Sequence, residues 1–184
     1  MTELNGFVVE DVAQAIAQVR ETPEAGHLTW HSRVRWDGGF GLDVRTRDIG
    51  QSGQTMTRHF TLRGDHPPEL LGRNTGPTAI ETVLAALGAC MAGTYAAQAT
   101  ARGIALEKLE VDVEGRIDLA GFFGLRSTPP GVADIRLSFN VEANTTGEVL
   151  EEILEATRQL SPVHDTLTRA RTVDCQLAGT GAHR

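Results

Sequence analysis

The stretch from Thr78 to Arg102 constrains this chain more than any other. It holds nine alanines and no proline, and Gly103 follows as a natural C-cap. As one continuous helix it would run about 37 Å at 1.5 Å per residue. Ile80, Val83, Leu84, Leu87, Cys90, Met91 and Tyr95 stand among the alanines on nearly every face, and only Glu81, Gln98 and Arg102 are strongly polar. A helix apolar all round has to be surrounded, in the middle of its own chain or between subunits. The expected architecture is therefore an α+β domain in which antiparallel sheet packs on this helix. One small sheet cannot cover it alone, so two chains are expected to interlock as a homodimer.

The remaining text supplies the elements. Residues 1–26 read as an N-terminal helical extension: from Phe7 to Arg20, Val8, Val9, Val12, Ala15, Ile16 and Val19 fall at helical spacing, and Pro23 stops the run. The main domain, 27–184, begins with alternating strand text from His27 to Trp36. A hairpin turn follows at Asp37-Gly38-Gly39, a return strand spans Phe40 to Arg47, a turn spans Asp48 to Gly53, and a third strand spans Thr55 to Leu62. Gly64 to Pro77 holds three of the seven prolines and reads as loop. Two strands, Leu106 to Leu119 and Val132 to Glu142, flank a Gly/Pro-rich loop. Asn144 or Thr145 is expected to cap a helix through Leu160, whose core face is Val149, Leu150, Ile153, Leu154 and Leu160. Ser161-Pro162 restarts a short helix, and Arg171 to Leu177 reads as a last strand.

Charge narrows the partners. The chain has 184 residues, 24 acidic against 17 basic, for a formal net charge of −7. That sign repels phosphate backbones and anionic lipid, so neither nucleic acid nor a membrane is an expected partner. The longest apolar run, Val83 to Gly93, is about half of the ~20 residues a bilayer span requires. Two cysteines, Cys90 and Cys175, are too few for a disulfide scaffold, and the opening residues lack a signal-peptide pattern. The expected location is cytoplasmic, with both thiols reduced. No nucleotide-binding glycine pattern is present, and His27 and His31 lie four apart in strand text rather than on one helix face. No metal or cofactor is expected.

Cys90 is then either a small apolar filler or a nucleophile, and the second reading needs its thiolate form. Cys175 offers the same pair of readings, a buried filler or a second thiol. Ser161, His164 and Asp165 carry the letters of a hydrolytic triad, although triads converge through tertiary structure, and Ser161 reads more simply as an N-cap.

The run from Gly76 to Cys90, with Glu81 ahead of Leu84-Ala85-Ala86-Leu87-Gly88-Ala89-Cys90, resembles the central-helix signature of the OsmC/Ohr family, the osmotically induced and organic hydroperoxide resistance proteins. Ala99 to Leu109, Val113-Glu114-Gly115, Pro130-Gly131 with Ile135, and Ser161 to Leu167 are similar to further family positions, so the resemblance spans about residues 27–178. It implies an intertwined α+β homodimer with its sites at the subunit interface. The implied chemistry is a thiol peroxidase in oxidative-stress defence: Cys90 reduces an organic hydroperoxide, Glu81 orients, and an arginine of the first strands (Arg33, Arg35, Arg45 or Arg58, with Arg35 favoured) supplies a cation. Leu87, Met91 and Phe40 would give the site an apolar, alkyl-selecting character. The sequence departs from the pattern in three places. Ser161 stands where the resolving cysteine belongs, Glu81 is nine rather than ten residues ahead of Cys90, and Phe40 follows Gly39 where an arginine is expected. With Ser161 there, an external thiol reductant would have to resolve the oxidised sulfur. A different class of function on the same scaffold is a non-catalytic protein that binds an apolar small molecule at the dimer interface, with Cys90 as packing.

Overall fold

The computed structural model describes residues 2–179. Its centre is α2 (Ala79–Ala101), bounded as the sequence predicts. Thr78 and Glu81 form a reciprocal capping box, the Glu81 N–H donating to Thr78 Oγ1 at 3.1 Å and the Thr78 N–H to Glu81 Oε2 at 2.7 Å. At the other end Gly103 takes φ 70°, and the Ile104 N–H returns to the Ala99 carbonyl.

Against α2 pack the long hairpin of β9 (Leu106–Arg116) and β10 (Ala133–Ala143), then α4 (Gly147–Leu160) and α5 (Pro162–Thr168). The core gathers where these meet: Tyr95 and Ala99 of α2 and Ile153 of α4, with Leu109, Phe139, Val141 and Leu154 packed around them. The Tyr95 hydroxyl donates to the Leu150 carbonyl at 3.2 Å. Three details differ from expectation. Thr146, not Asn144 or Thr145, caps α4 by accepting from the Val149 N–H. Leu160 is exposed, and the face it was assigned to closes instead with buried Thr157, whose hydroxyl donates to the Ile153 carbonyl at 2.7 Å. The loop between β9 and β10 holds one helical turn, α3 (Leu119–Phe122).

The N-terminal extension opens with a two-residue hairpin, β1 (Glu3–Leu4) and β2 (Phe7–Val8), so α1 (Val9–Glu21) starts two residues later than the periodicity predicts. Asn5, in the left-handed region at φ 52°, pins this hairpin to the far end of α2. Its amide donates to Thr100 Oγ1 (3.0 Å) and the Ile104 carbonyl (2.9 Å), and its Oδ1 accepts from the Leu106 N–H (2.8 Å).

The first half of the main domain forms two small sheets rather than one meander. β3 (Leu28–Thr29), β6 (Ile49–Gln51) and β7 (Gln54–Met56) pair in the order β3-β6-β7, while β4 (Ser32–Trp36), β5 (Leu42–Thr46) and β8 (Thr61–Gly64) pair in the order β4-β5-β8. The chain changes sheet at Trp30-His31, at Arg47-Asp48 and again between Met56 and Thr61, which splits the first and third predicted strands and leaves the second whole as β5. Ser52 (φ 48°) and Gly53 (φ 79°) make the tight β6–β7 turn, so β6 occupies what the sequence reads as turn.

In the β4-β5-β8 sheet the register separates two faces. Trp36 and Val34 lie opposite Leu42 and Val44, and Val44 opposite Leu62; on the other face Arg35, Asp43 and Arg63 align in one row. The charged face is tied together by Arg35–Asp43 (2.7 Å), Arg63–Asp43 (2.9 Å) and Arg63–Asp37 (2.6 Å). The apolar face is open: Val34 is 56% and Trp36 71% exposed, and Phe60 just before β8 is 59% exposed. α2 is in the same condition. By length and composition it is apolar enough to cross a membrane, yet only 22% of its most apolar 18-residue window is buried in the chain. Residues 171–177, read from sequence as a strand, pair with nothing among the described residues, and Val173, Cys175 and Leu177 lie exposed along them.

Candidate functional site

Cys90 sits halfway along α2 on the side that meets the α4–α5 junction. Its position follows from the helix itself: Leu87, Met91 and Tyr95 turn into the core, and Cys90 takes the edge of that face, half-buried. Thr94, one turn on, donates its hydroxyl to the Cys90 carbonyl at 2.8 Å, which fixes the local backbone.

Ser161 closes the site from the other side. It is both the last cap of α4 and the residue before α5, where Pro162 occupies the first helical position. Its N–H donates to the Thr157 carbonyl (3.0 Å) and its carbonyl accepts from the Asp165 N–H (3.0 Å), so the backbone is held in both directions. The residue is fully buried, and its hydroxyl donates to Cys90 Sγ at 3.2 Å. This corrects the N-cap role: Ser161 sits at the cap position but makes no side-chain cap, its hydroxyl being turned toward the sulfur and not toward the α5 backbone. The structure thus brings together two residues separated by 71 positions, which the sequence placed at the same site.

The other named residues lie elsewhere in this chain. The Glu81 carboxylate closes the capping box nine residues before Cys90, about 13 Å along the axis at 1.5 Å per residue. Hydrogen bonding from the Thr78 backbone N–H holds it below the ordinary glutamate range. Arg35 is on the charged face of the first sheet, where the Asp43 carboxylate it donates to raises its pKa. Arg33 and Arg45 face each other in the same sheet, and Arg58 lies over the Phe60 ring at 4.9 Å. Among the described residues no arginine is hydrogen-bonded to Cys90 within one chain. Leu87 and Met91 are core residues, and Phe40 stacks on His66 beside the start of α2, so these three do not form one apolar collar. Nor is there a triad: Asp165 pairs with Arg169 (2.6 Å) and Arg171.

Two features escaped the sequence reading. The Thr78-x-x-Glu81 spacing is itself the signature of a capping box and was there to be read. Asp65 left no such signal: it is buried, accepting from the Thr75 hydroxyl (2.7 Å) and from the N–H groups of His66 (2.8 Å), Arg73 (3.3 Å) and Thr75 (3.3 Å). Led by the Thr75 hydroxyl, these donors outweigh burial and hold its pKa at about 2. Asp65 thereby folds the 65–77 loop onto the start of α2.

Comparison with known proteins places this geometry. A family model described as OsmC-like protein matches residues 72–176. Among solved structures, an OsmC-like protein from Mycoplasma pneumoniae superposes with TM-score 0.59 at 17% identity, covering 76% of this chain and 87% of that one. An organic hydroperoxide resistance protein from Elizabethkingia anophelis gives 0.53 at 17% (75% and 86% covered), and one from Legionella pneumophila gives 0.51 at 16% (76% and 88%). No curated protein matches the chain.

Proposed function

The chain belongs to the OsmC-like family, and from that premise we propose that it is a thiol peroxidase acting on organic hydroperoxides through Cys90. The observation that carries the reading is the Cys90–Ser161 pair: a half-buried sulfur faced at 3.2 Å by a fully buried hydroxyl donor, on two elements fixed by their own backbone hydrogen bonds. The thiolate attacks the terminal peroxide oxygen and the O–O bond breaks. The alkoxide leaves and takes a proton to become the alcohol, and the sulfur becomes a sulfenic acid. Ser161 cannot condense with that species to a disulfide. A small-molecule or protein thiol therefore attacks the sulfenic sulfur, expelling water and forming a mixed disulfide; a second thiol then displaces Cys90 as the free thiol and leaves with the first as the oxidised disulfide.

The working unit in this proposal is a homodimer in the cytoplasm. A compact monomer of 19.8 kDa exposes roughly 8,600 Å² by the usual mass scaling, whereas this chain exposes 13,676 Å². Burying the apolar face of the β4-β5-β8 sheet and the open sides of α2 against a second copy would remove part of that excess, in keeping with the large, apolar interfaces of obligate dimers. A carboxylate or cation for Cys90, to which its own chain hydrogen-bonds only the Ser161 hydroxyl, would then have to come from the partner subunit.

One observation favours the second class of function: within the chain, Glu81 serves as a cap and Arg35 serves Asp43. On that reading Cys90 is packing and the protein is a binder of apolar molecules. The two are separated by treating the protein with one equivalent of cumene hydroperoxide in the presence of dimedone. The peroxidase reading expects a dimedone adduct on Cys90 and none on the Cys90→Ser variant; an unmodified Cys90 supports the binder.

A further inference from the structure

A cavity of about 470 Å³ opens at the start of α2, well apart from the Cys90–Ser161 pair. Ile80, which lines it, precedes Cys90 by ten positions, about 15 Å along the helix at 1.5 Å per residue. Four segments of one chain enclose it: the tip of the β4–β5 hairpin, the 66–71 loop, the first turn of α2, and α3 with its flanks. The walls are hydrocarbon and aromatic, with Leu70, Ile80, Leu119, Phe122 and Phe123 as the main contributors. One wall is a flat plate, the Phe40 and His66 rings stacked at 4.1 Å and parallel to within 2°. The loop carrying His66 is the one that buried Asp65 holds in place.

The charge of the lining selects an occupant. Its only ionisable side chains are His66 and Glu69, and Glu69 makes no ion pair among the described residues. Among those residues no lysine or arginine lines the cavity. Arg73 occupies an adjoining depression that shares Phe40 and Leu71, and its guanidinium faces Asp37 (3.7 Å) and Asp65 (3.9 Å). A carboxylate or phosphate headgroup would meet the Glu69 carboxylate at the exposed rim, with no cation lining the cavity to offset the repulsion. The volume lies within the 300–1,000 Å³ range typical of small-molecule sites.

We infer that this cavity is a binding site for an uncharged, largely hydrocarbon small molecule, and that it discriminates against anionic amphiphiles of the same chain length. The inference does not depend on the chemistry of Cys90. The test is fluorescence of N-phenyl-1-naphthylamine, a neutral apolar probe, titrated with the full-length protein and displaced by 1-decanol or by decanoate. Saturable probe uptake is expected, with decanol displacing the probe about tenfold more effectively than decanoate, a difference of about 1.4 kcal/mol. Glu69→Lys should bring decanoate up to the level of decanol while leaving probe uptake intact, and Phe122→Arg should abolish uptake in a protein of unchanged circular dichroism. Absence of probe uptake, as when a second chain fills the cavity, would overturn the inference. So would equal displacement by the two competitors, or a Glu69→Lys protein that treats decanoate as the wild type does. Because Cys90→Ser should bind the probe normally, failure of the peroxide chemistry and failure of this site give different results.

Discussion

Replacing Ser161 by cysteine should convert the Cys90–Ser161 contact into a covalent cross-link. The hydroxyl oxygen lies 3.2 Å from the sulfur, and a disulfide requires about 2.05 Å between the sulfurs. The longer carbon–sulfur bond of the new side chain closes part of that gap without backbone movement. The bridge would tie positions 71 residues apart. In the chain-entropy treatment a loop of that length stabilises the folded state by about 4.4 kcal/mol at 25 °C, less whatever strain the geometry introduces. After oxidation with diamide, thiol titration in denaturant should fall from three groups to one, the survivor being exposed Cys175. The urea midpoint of the oxidised variant should lie well above that of its reduced form. Three titratable thiols after oxidation, or an oxidised form less stable than the reduced one, would refute the placement of Ser161 over the sulfur.

Other expectations follow from single contacts. Thr78→Ala removes the acceptor of the α2 capping box and should cost about 1 kcal/mol in urea unfolding. Gly88→Ala places a Cβ 2.9 Å from Val113 Cγ2, where α2 lies against β9, and should destabilise by about 1–3 kcal/mol; a neutral result would mean that the helix and strand are further apart than described. Asp65, with its folded pKa near 2, contributes stability that is complete above the unfolded value near 4 and is lost as pH falls through about 2. Tm should therefore decline from pH 4 to pH 2, and Asp65→Asn should flatten that decline. Trp36→Glu places a charge on the open apolar sheet face; in the homodimer proposed above it should shift the light-scattering mass from two chains to one, and an unchanged mass would remove this face from the interface.

What the sequence revealed and what it withheld divide along physical lines. The span of α2 was legible because its signals are local: alanine content, the lack of proline and a glycine after the last turn. Ser161 was legible as a neighbour of Cys90 only through the order of motifs, since no local rule joins positions so far apart. The use of its hydroxyl was not, because the side-chain rotamer, set by tertiary packing, decides whether the oxygen faces the α5 backbone or the sulfur. Strand breaks at Trp30-His31 and between Met56 and Thr61 were hidden for a related reason. Alternation continues through them while the backbone changes partner, and pairing is not encoded in period. Residues 171–177 show the converse: the alternation is strand text, but the segment pairs with no strand among the described residues. Glu81 and Arg35 carried roles that the resemblance implied; within one chain, nearer partners, Thr78 and Asp43, claim them.

In the proposed peroxidase, Cys90 reduces an organic hydroperoxide in one step with no second thiol from its own chain. A single-turnover reaction tests it most directly: reduced protein, cumene hydroperoxide in small excess, no added thiol, and chromatographic measurement of the alcohol. A burst of one equivalent of cumyl alcohol per chain is expected, absent in Cys90→Ser, unchanged in Cys175→Ser, and followed by turnover once a small thiol is supplied. No burst, or one that survives Cys90→Ser, would contradict it.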